Sequence, residues 1–493
     1  MFAQEVDSLA HIEILFSEPS DAGLDAHLGA FFDSLSQLSA SPSDPILREQ
    51  VVQKGHALAG VFNQLHDGFT DVAAGLAAGA ESLISDVNGL TDRIASLNGR
   101  VERIIAGGGS APDLEDLRDQ LVNELSGIID VSVHRDDRGL INISASGTLL
   151  VSGRDRTELE ADTEGEEINL TRPGGVGIPV EVRGGKLAGV LNIHNGLLRE
   201  YSDELDGLAR SLMGAINAVH TEGLPASGGF QTLEGLNAFT TEEVFCDTGY
   251  GVEPGTHSLF INVEDQATGE VQRFELTMDT TVPSDQFLED LRDVINDPAT
   301  GVDHLTATIG EGKLNLAADA GYTFDFAAQY DRNPAQAGDF TTADPPAVEV
   351  LDAYEGTSDL QYDVSFTNAG TLGSDELALQ VEVRDAAGSL LRTLSRTVPA
   401  DYGPGETIEL ENGLKLTLGE GSVNAGDGFS VQATADNDPA GILSALGLNT
   451  FFAGSDAGTM RVAGRLLEDT SNFAASLRNV AGDNHRVLQM AGV

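Results

Sequence analysis

A heptad run between Ala73 and Ile105 constrains the fold of this chain more than any other feature. Apolar residues fill one position of successive heptads, and a second apolar set lies three or four residues away. Such an a/d stripe predicts a long, coiled-coil-like helix that lies along other helices, whereas an ordinary amphipathic helix in a globular bundle is the alternative. The two sets are Leu76, Leu83, Leu90, Leu97 and Ile104, and Ala80, Val87, Ile94 and Val101.

Helical periodicity extends over most of the first 130 residues and returns later. Asp44 as N-cap and Pro45 at the first helical position mark one helix start, and the glycine run 107–109 predicts the end of the heptad helix. That run lacks the Gly-Lys-Ser/Thr of a phosphate-binding loop, so it carries no nucleotide-site prediction. Further helices are predicted around 9–16, 24–38, 45–65, 112–125 and 187–220.

Between Ile129 and Val182 the apolar period falls to two, which predicts a small patch of short strands. The strands are expected near 131–133, 141–143, 149–151, 168–170 and 178–182, with a hairpin turn at 136–139 and an acidic solvated loop at 158–167.

A region rich in Gly, Thr and Asp, from about Gly229 to Ala440, also alternates in twos. Its first part predicts a hairpin (259–263 and 271–276), a helix from Ser284 to Ile295, and strands near Leu305, Leu314 and Tyr322. Its second part predicts about seven strands of a small β-sandwich, after a linker at 331–346. The strands that can be named lie at 362–366, 377–383, 408–410, 414–418 and 429–433.

These patterns together predict a multidomain α plus β protein. An elongated helical rod or bundle with a small β patch is interrupted by inserted, mainly β domains. The expected division is 1–225 for the first part of the helical domain, 226–345 for an inserted α+β domain, 346–439 for an inserted β-sandwich-like domain, and 440–493 for the return to the helical domain.

Charge and cysteine content exclude several classes of function. The chain has 27 Lys and Arg against 79 Asp and Glu, a formal charge of -52 that repels nucleic acid and anionic membranes. No apolar run reaches the length of a membrane span. The single cysteine, Cys246, excludes an intramolecular disulfide framework and a multi-cysteine metal site.

No motif nominates a catalytic, cofactor-binding or metal-binding residue, so the sequence predicts a protein that is not an enzyme and needs no cofactor. The G-x-S-x-G elbow, dinucleotide fingerprint and H-E-x-x-H pattern are missing, and the ten histidines are scattered. Asp436-Asn437-Asp438 is predicted to be a domain-boundary turn before Pro439 rather than part of a Ca²⁺ loop, because it lacks the glycine and distal glutamate of an EF-hand.

The other candidate residues have ordinary structural interpretations. Adjacent carboxylates in strands or loops point apart instead of sharing a proton, and Cys246 has acidic neighbours that disfavour a thiolate. The two glycosylation sequons, at Asn142 and Asn169, match the motif by chance as easily as by design. The carboxylate pairs are Asp136-Asp137 and Glu166-Glu167.

Several linked blocks of the sequence stand out together, namely 14–24 (ILFSEPSDAGL), 31–35 (FFDSL), 48–52 (REQVV), 184–191 (GGKLAGVL), 215–220 (AINAVH), 446–452 (LGLNTFF) and 482–484 (GDN). These blocks resemble the flagellar hook-associated protein FlgK family. The resemblance covers roughly 5–225 and 440–493, and the middle resembles the family only in architecture, as a variable β insertion.

The resemblance implies a structural protein of the bacterial flagellum that forms the junction between hook and filament. It implies extracellular localisation after export by the flagellar secretion system. The implied partners are other copies of itself in a ring, the hook protein, the second hook–filament junction protein, and the export machinery and its chaperone. The family's terminal helices have no counterpart here, so the chain is expected to be a trimmed core that is monomeric in solution.

Three rival interpretations stay open. A flagellin-like filament protein would share the helical rod but matches the quoted blocks less well. An acidic extracellular adhesin or surface-layer protein would explain the β units but not the heptad helix. An acidic hydrolase with a β accessory domain would need a clustered carboxylate site, which the sequence does not reveal.

Overall fold

A computed structural model describes residues 23–493 apart from 137–138, 164, 166, 174–179, 337, 404 and 479–481. The helix predicted around 9–16 and most of the block 14–24 lie outside the described residues. The model contains long helices and many β-sheets, which confirms the prediction of a multidomain α plus β protein.

The first helices follow the predicted pattern, with one difference. Helix α1 spans Leu24–Ala40, α2 spans Pro45–Ala106 and α3 spans Pro112–Ile128. The sequence predicted separate helices at 45–65 and 73–105, but α2 is one helix of 62 residues. Glycine costs a helix interior only about 1 kcal/mol relative to alanine, so Gly68 does not end it.

Both ends of α2 have the caps that the sequence predicted. At the start, the Asp44 carboxylate accepts a hydrogen bond from the Ile46 N–H at 2.8 Å. At the end, Gly108 adopts φ +84°, and the N–H groups of Gly108 and Gly109 donate to the carbonyls of Ile105 and Ile104. This pair of bonds is a Schellman motif, which satisfies the last free carbonyls of the helix.

The heptad stripe of α2 is buried along most of its length. Leu83 is only half-buried and Ile104 is 38% exposed, whereas Ile84 is buried beside the predicted position. The stripe therefore drifts around the helix, as expected when a 3.6-residue helix carries a seven-residue repeat without supercoiling. The buried members are Leu76, Ala80, Val87, Leu90, Ile94, Leu97 and Val101.

The small β patch lies against this helix. A four-stranded antiparallel sheet is formed by β1 (Ser132–Arg135), β2 (Ile141–Ala145), β3 (Thr148–Ser152) and β4 (Asp155–Arg156). The pairing of Arg135 with Ile141 confirms a hairpin around 136–139. A second pair joins β5 (Glu160–Asp162) to β6 (Asn169–Thr171), so the acidic stretch 158–167 is not wholly a loop as predicted. Of the strand predicted at 178–182, the described residues 180–182 are not in a strand.

Asn98 fixes the sheet to α2. Its fully buried amide donates to the carbonyls of Ile141 and Gly153, while its oxygen accepts from the guanidinium of Arg118 on α3 at 2.9 Å. Burial lowers the pKa of Arg118, which also donates to the Gly139 carbonyl at 3.0 Å. One buried amide thus ties a strand, a turn and a second helix to α2.

The later helical segment begins at Gly185 and runs to Thr221. It consists of α4 (Gly185–Asn192), a π-helical stretch (Ile193–Leu198) and α5 (Arg199–Thr221). The predicted span of 187–220 therefore agrees with the structure, and the π stretch was not foreseen. Within it, the Asn195 amide exchanges hydrogen bonds with the backbone of Ile168, which ties the helix to the β patch.

The first inserted region has its own apolar core. The predicted hairpin is β8 (Thr256–Asp265) with β9 (Val271–Asp279), and the predicted helix is α6 (Ser284–Ile295). Strands β10 (Leu305–Gly310), β11 (Lys313–Ala318) and β12 (Tyr322–Asp325) follow, and β7 (Thr232–Glu234) pairs with β11. Residues 440–448 contribute to the same core, although the sequence assigned them to the returning helical segment.

The second inserted region has two main antiparallel sheets that share one core. Its described residues include more strands than the seven or so predicted, and β17 is the longest one missed. Phe340 packs on this core and the Asp339 carbonyl accepts from Gly428 N–H, so 331–346 is packed rather than a free linker. The strands are β13 (Val348–Leu351), β14 (Leu360–Phe366), β15 (Gly370–Thr371), β16 (Leu377–Asp385), β17 (Leu390–Val398), β18 (Ile408–Glu409), β19 (Lys415–Leu418), β20 (Ser422–Val423) and β21 (Gly428–Ala433).

The last residues return to mixed structure, as predicted. They form α7 (Ile442–Leu446), β22 (Phe452–Ala453), β23 (Arg461–Val462), α8 (Gly464–Glu468) and α9 (His485–Ala491). No helix among the described residues is long and apolar enough to cross a bilayer.

The described chain divides into two compact units. One contains 23–26 and 61–208, and the other contains 27–60 and 209–493, so the divisions fall within α1, α2 and α5. The second unit therefore contains most of α1, the start of α2, the end of α5, both β-rich regions and the returning segment.

Gly55 on α2 provides a test of packing in the second unit. A β-carbon there would lie 2.6 Å from the Phe451 ring, whereas one at the exposed Gly60 would meet nothing within 4 Å. We expect Gly55→Ala to lower the free energy of unfolding by about 1–3 kcal/mol through overpacking. Gly60→Ala should instead raise it by up to about 1 kcal/mol through helix propensity. Urea denaturation of both variants checks this, and equal effects would contradict the close approach of the two segments.

Candidate functional site

Three of the blocks that carry the family resemblance, 31–35, 215–220 and 446–452, meet in one aromatic cluster of the second unit. The rings of Phe31 on α1 and Phe451 lie 5.5 Å apart, and Phe451 contacts Phe452 edge-to-face at 4.7 Å. The His220 ring at the end of α5 lies 5.7 Å from Phe451 and 5.2 Å from Phe473. Segments more than 400 residues apart in sequence, such as 31 and 451, therefore share one apolar core.

Asn217 anchors the returning chain to α5. Its side-chain oxygen accepts from the N–H groups of Phe451 and Phe452 at 3.0 and 2.9 Å, and its amide donates to the Phe452 carbonyl at 2.9 Å. Buried backbone groups need hydrogen-bond partners. Here the Asn217 side chain supplies three of these bonds, which a neighbouring strand would otherwise have to provide.

Asn449 caps the end of α5 from the opposite direction. Its amide donates to the carbonyls of His220, Thr221 and Gly223, which are among the last of the helix and the turn after it. Asn449 has φ +52°, a conformation that asparagine tolerates better than most residues. Arg465 donates to the Asn449 side-chain oxygen, and burial lowers the pKa of Arg465 to about 10.

His220 is fully buried and held in one tautomer. Nε2 accepts from the Ala474 N–H at 3.0 Å, so Nδ1 carries the proton and donates to the Asn449 carbonyl at 2.7 Å. Burial, assisted by the positive charge of Arg465, lowers the pKa of His220 to about 3. The imidazole is therefore a neutral structural link between three segments.

Glu222 and Arg486 form a buried ion pair just beyond the helix. Arg486 Nη2 lies 2.8 Å from Glu222 Oε2, and Arg486 Nε donates to the Glu222 carbonyl at 3.1 Å. Both residues are at most 5% exposed. Burial opposes ionisation of Glu222 and raises its pKa, whereas the adjacent Arg486 guanidinium lowers it.

The tripeptide 436–438 completes the junction. The N–H groups of Asn437 and Asp438 both donate to Glu222 Oε1 at 3.1 Å. The Asn437 amide donates to the Phe326 carbonyl, and its oxygen accepts from Arg273 at 2.8 Å. The Asp438 carboxylate accepts the N–H groups of Ile442 and Leu443, while burial raises its pKa to about 8. We call Glu222, Asn437, Asp438 and Arg486 the junction clamp.

The remaining residues weighed from sequence lie apart from the clamp. Cys246 is half-buried, and burial followed by the nearby Asp247 raises the pKa of its thiol. Asp136 accepts from the Leu140 N–H, Glu167 pairs with Arg199, and Asn142 accepts from the Gly153 N–H. Asp137 and Glu166 lie outside the described residues. Among the residues that the structure describes, no three His, Cys, Asp or Glu side chains are grouped to hold a metal ion.

Sequence reasoning assigned no role to most of the buried polar residues of this site. Asn217, His220 and Asn449 stood inside the quoted blocks without an assigned role, and Asn437 and Asp438 were predicted only to form a turn. Glu222 and Arg486 went unmentioned. The available signal was a lone charged residue at the end of an apolar helical block, which on its own does not identify its partner.

Comparison with known proteins places the helical residues in context. The family described as flagellar hook-associated protein FlgK helical domain matches residues 9–234. Residues 9–234 of this chain are therefore similar to that domain.

Characterised relatives agree with the match. Flagellar hook-associated protein 1 of Salmonella typhimurium is 30% identical over 233 residues, which cover 45% of this chain and 42% of that protein. Its Bacillus subtilis counterpart is 27% identical over 251 residues, covering 45% of this chain and 50% of that protein. The chain therefore aligns with about half or less of the length of these relatives. The flagellar hook junction protein FlgK of Burkholderia pseudomallei aligns over 95% of this chain and 94% of its own, with 16% identity and a TM-score of 0.44.

Removing one partner of the buried ion pair tests the clamp. Arg486→Met leaves Glu222 buried without its counter-ion, and we expect the free energy of unfolding to fall by about 3 kcal/mol. Arg292→Met is the matched control, because Arg292 pairs with the exposed Asp293. Such surface pairs contribute about 0–1 kcal/mol. Chemical denaturation measures both, and similar losses in the two variants would show that the buried pair has no special role.

The neutral His220 predicts a pH-dependent contribution. Folding lowers the pKa of His220 from 6.5 to about 3. Between these two pH values the unfolded chain therefore binds more protons than the folded chain. The contribution of the neutral imidazole to the free energy of unfolding is complete above pH 6.5 and is lost as the pH falls towards 3. We expect His220→Gln to be destabilised at pH 7, and its difference from wild type to shrink by about 2 kcal/mol at pH 5. His56→Gln, on the exposed face of α2, should keep a constant difference from wild type. A constant difference for His220→Gln would contradict the assignment.

Proposed function

We propose that this chain is a structural component of the bacterial flagellum, acting as a hook-associated protein at the junction between hook and filament. The match of residues 9–234 to the FlgK helical domain is the observation that carries the proposal. The proteins similar to it are named as flagellar hook-associated proteins. The alternatives are a flagellin-like or other filament protein, or an acidic extracellular adhesin or surface-layer protein.

The geometry of the clamp supports a scaffolding role. Its charged and polar groups are consumed by bonds within the chain: Glu222 takes two N–H groups and a guanidinium, and Asp438 takes two further N–H groups. Groups held this way position segments of backbone and are not available to a substrate. A protein that transmits force between two tubes needs such rigid joints, and we infer no catalytic role for this site.

The partners follow from the same proposal. They are other copies of this chain in a ring, the hook protein, the second hook–filament junction protein, and the flagellar export machinery with its chaperone. Export through that system would place the chain outside the cell, on the flagellum. The division into a helical domain (1–225 and 440–493) and two insertions (226–345 and 346–439) belongs to the proposal.

Immunogold electron microscopy of intact flagella tests the location. Antibody against this chain should label a single band at the boundary of hook and filament. Antibody against flagellin, as the matched control, should label the filament along its length. Labelling of the whole filament by the first antibody would favour the filament-protein alternative, and labelling of the cell wall would favour the adhesin.

The isolated chain should be monomeric, with a mass near 51.6 kDa. The heptad residues Ile94 and Val101 are fully buried within the chain, which leaves little of the stripe for a coiled-coil partner. The charge of -52 adds repulsion between copies, which salt screens. Light scattering in low and high salt measures the mass. A stable dimer or ring in low salt would mean that another surface drives assembly despite the repulsion.

A further inference from the structure

A small cavity lies where several parts of the second unit converge. Its volume is about 70 Å³. The segment after α5, the connection between the two inserted regions and the returning segment each contribute to its wall, through Leu224, Gln329 and Leu477 respectively. Next to it, Leu224, Ala327, Ala353 and Leu477 form a small apolar cluster.

Two polar atoms of the wall, Gln329 Oε1 and Arg478 Nε, make no hydrogen bond to any described group. Gln329 is 4% exposed and its Oε1 accepts no hydrogen bond from any described group. The Gln329 carbonyl is satisfied, because it accepts from the Thr434 N–H at 2.8 Å. An unsatisfied buried amide oxygen costs about as much as the stabilisation of one or more ordinary hydrogen bonds, so native structures seldom retain one.

Other polar groups line the same space. The Asp325 carboxylate, only 7% exposed, accepts through Oδ1 from Asn262 at 2.9 Å and from the Ala327 N–H at 2.8 Å. Arg478 donates to Asp352 at 2.9 Å through Nη1, while its Nε lies 3.6 Å from the Asp483 carboxylate, beyond hydrogen-bond distance. The cavity thus offers both donors and acceptors around a volume that suits about two water molecules.

We propose that this cavity is a binding site for ordered water that hydrogen-bonds to Gln329 Oε1 and links it to the charged groups of the wall. A larger ligand does not fit the volume, and an apolar one would leave the amide oxygen unsatisfied. The water joins the connection at 328–332 to the returning segment at 477–478, where the described protein groups alone leave a gap in the hydrogen bonding.

Gln329→Met distinguishes a hydrated cavity from a dry one by the sign of its effect. Methionine has nearly the same length but accepts no strong hydrogen bond. If water occupies the site, the variant removes the hydrogen bond between that water and Gln329 Oε1, and the equilibrium constant for unfolding should rise about five- to tenfold. If the site is dry, the variant removes an unsatisfied group and the constant should fall. Gln272→Met on the exposed face of β9 is the control and should change little.

A crystal structure of the unaltered chain at high resolution gives a second readout that does not depend on any variant. Density for water within hydrogen-bond distance of Gln329 Oε1 supports the proposal. An unchanged or lower unfolding constant for Gln329→Met, or clear density showing no water against Oε1, overturns it.

Discussion

The second unit depends on how the polar end of α5 is buried. A helix leaves its last carbonyls without intrahelical partners, and removing them from water is costly unless another group donates to them. Here one residue, Asn449, donates to the carbonyls of His220 and Thr221 and to that of Gly223 in the following turn, and His220 and Glu222 bind further backbone of the returning segment. The helix end is therefore buried together with residues 437–438, 449 and 474 of that segment. The aromatic cluster packs around this polar contact, and it supplies the apolar burial that offsets the cost of desolvation.

The excess of acidic residues makes the buried arginines of the fold important for its stability. With a net charge of -52, the negative side chains repel one another in the folded state, and positive groups within the fold reduce this repulsion. Several of the few basic residues are buried or nearly so, namely Arg118, Arg273, Arg465 and Arg486, and each donates hydrogen bonds to protein groups there. Arginine suits these positions better than lysine because its planar fork reaches two acceptors at once and stays charged when the pKa is lowered. The four lysines lie on or near the surface instead.

Local patterns predicted the elements well, and long-range pairing less so. The bounds of α6 agreed with the prediction because its apolar face repeats at helical spacing between turn residues. The length of α2 was underestimated, since Gly68 and Gly75 interrupt the pattern without ending the helix. Strand β17 was missed because most of its residues are exposed on both faces, so it has no alternating signature. At the candidate site, the helix end at His220 was predictable, but Glu222 and Arg486 are 264 residues apart and nothing local relates them.

The same contacts explain how the two β-rich regions join the returning segment. The second inserted region leaves and rejoins the chain at a point where its ends are bonded, since the Thr434 N–H donates to the Gln329 carbonyl. Closing a loop twice as long costs only about 0.6 kcal/mol more, so a region with joined ends can change length with little effect on the remainder. The first inserted region differs, because residues 440–448 complete its core and Asn437 binds both Phe326 and Arg273. It is therefore a structural part of the return to the helical segment, whereas the second contacts that segment through the Arg478–Asp352 pair and the cluster of Leu224, Ala353 and Leu477.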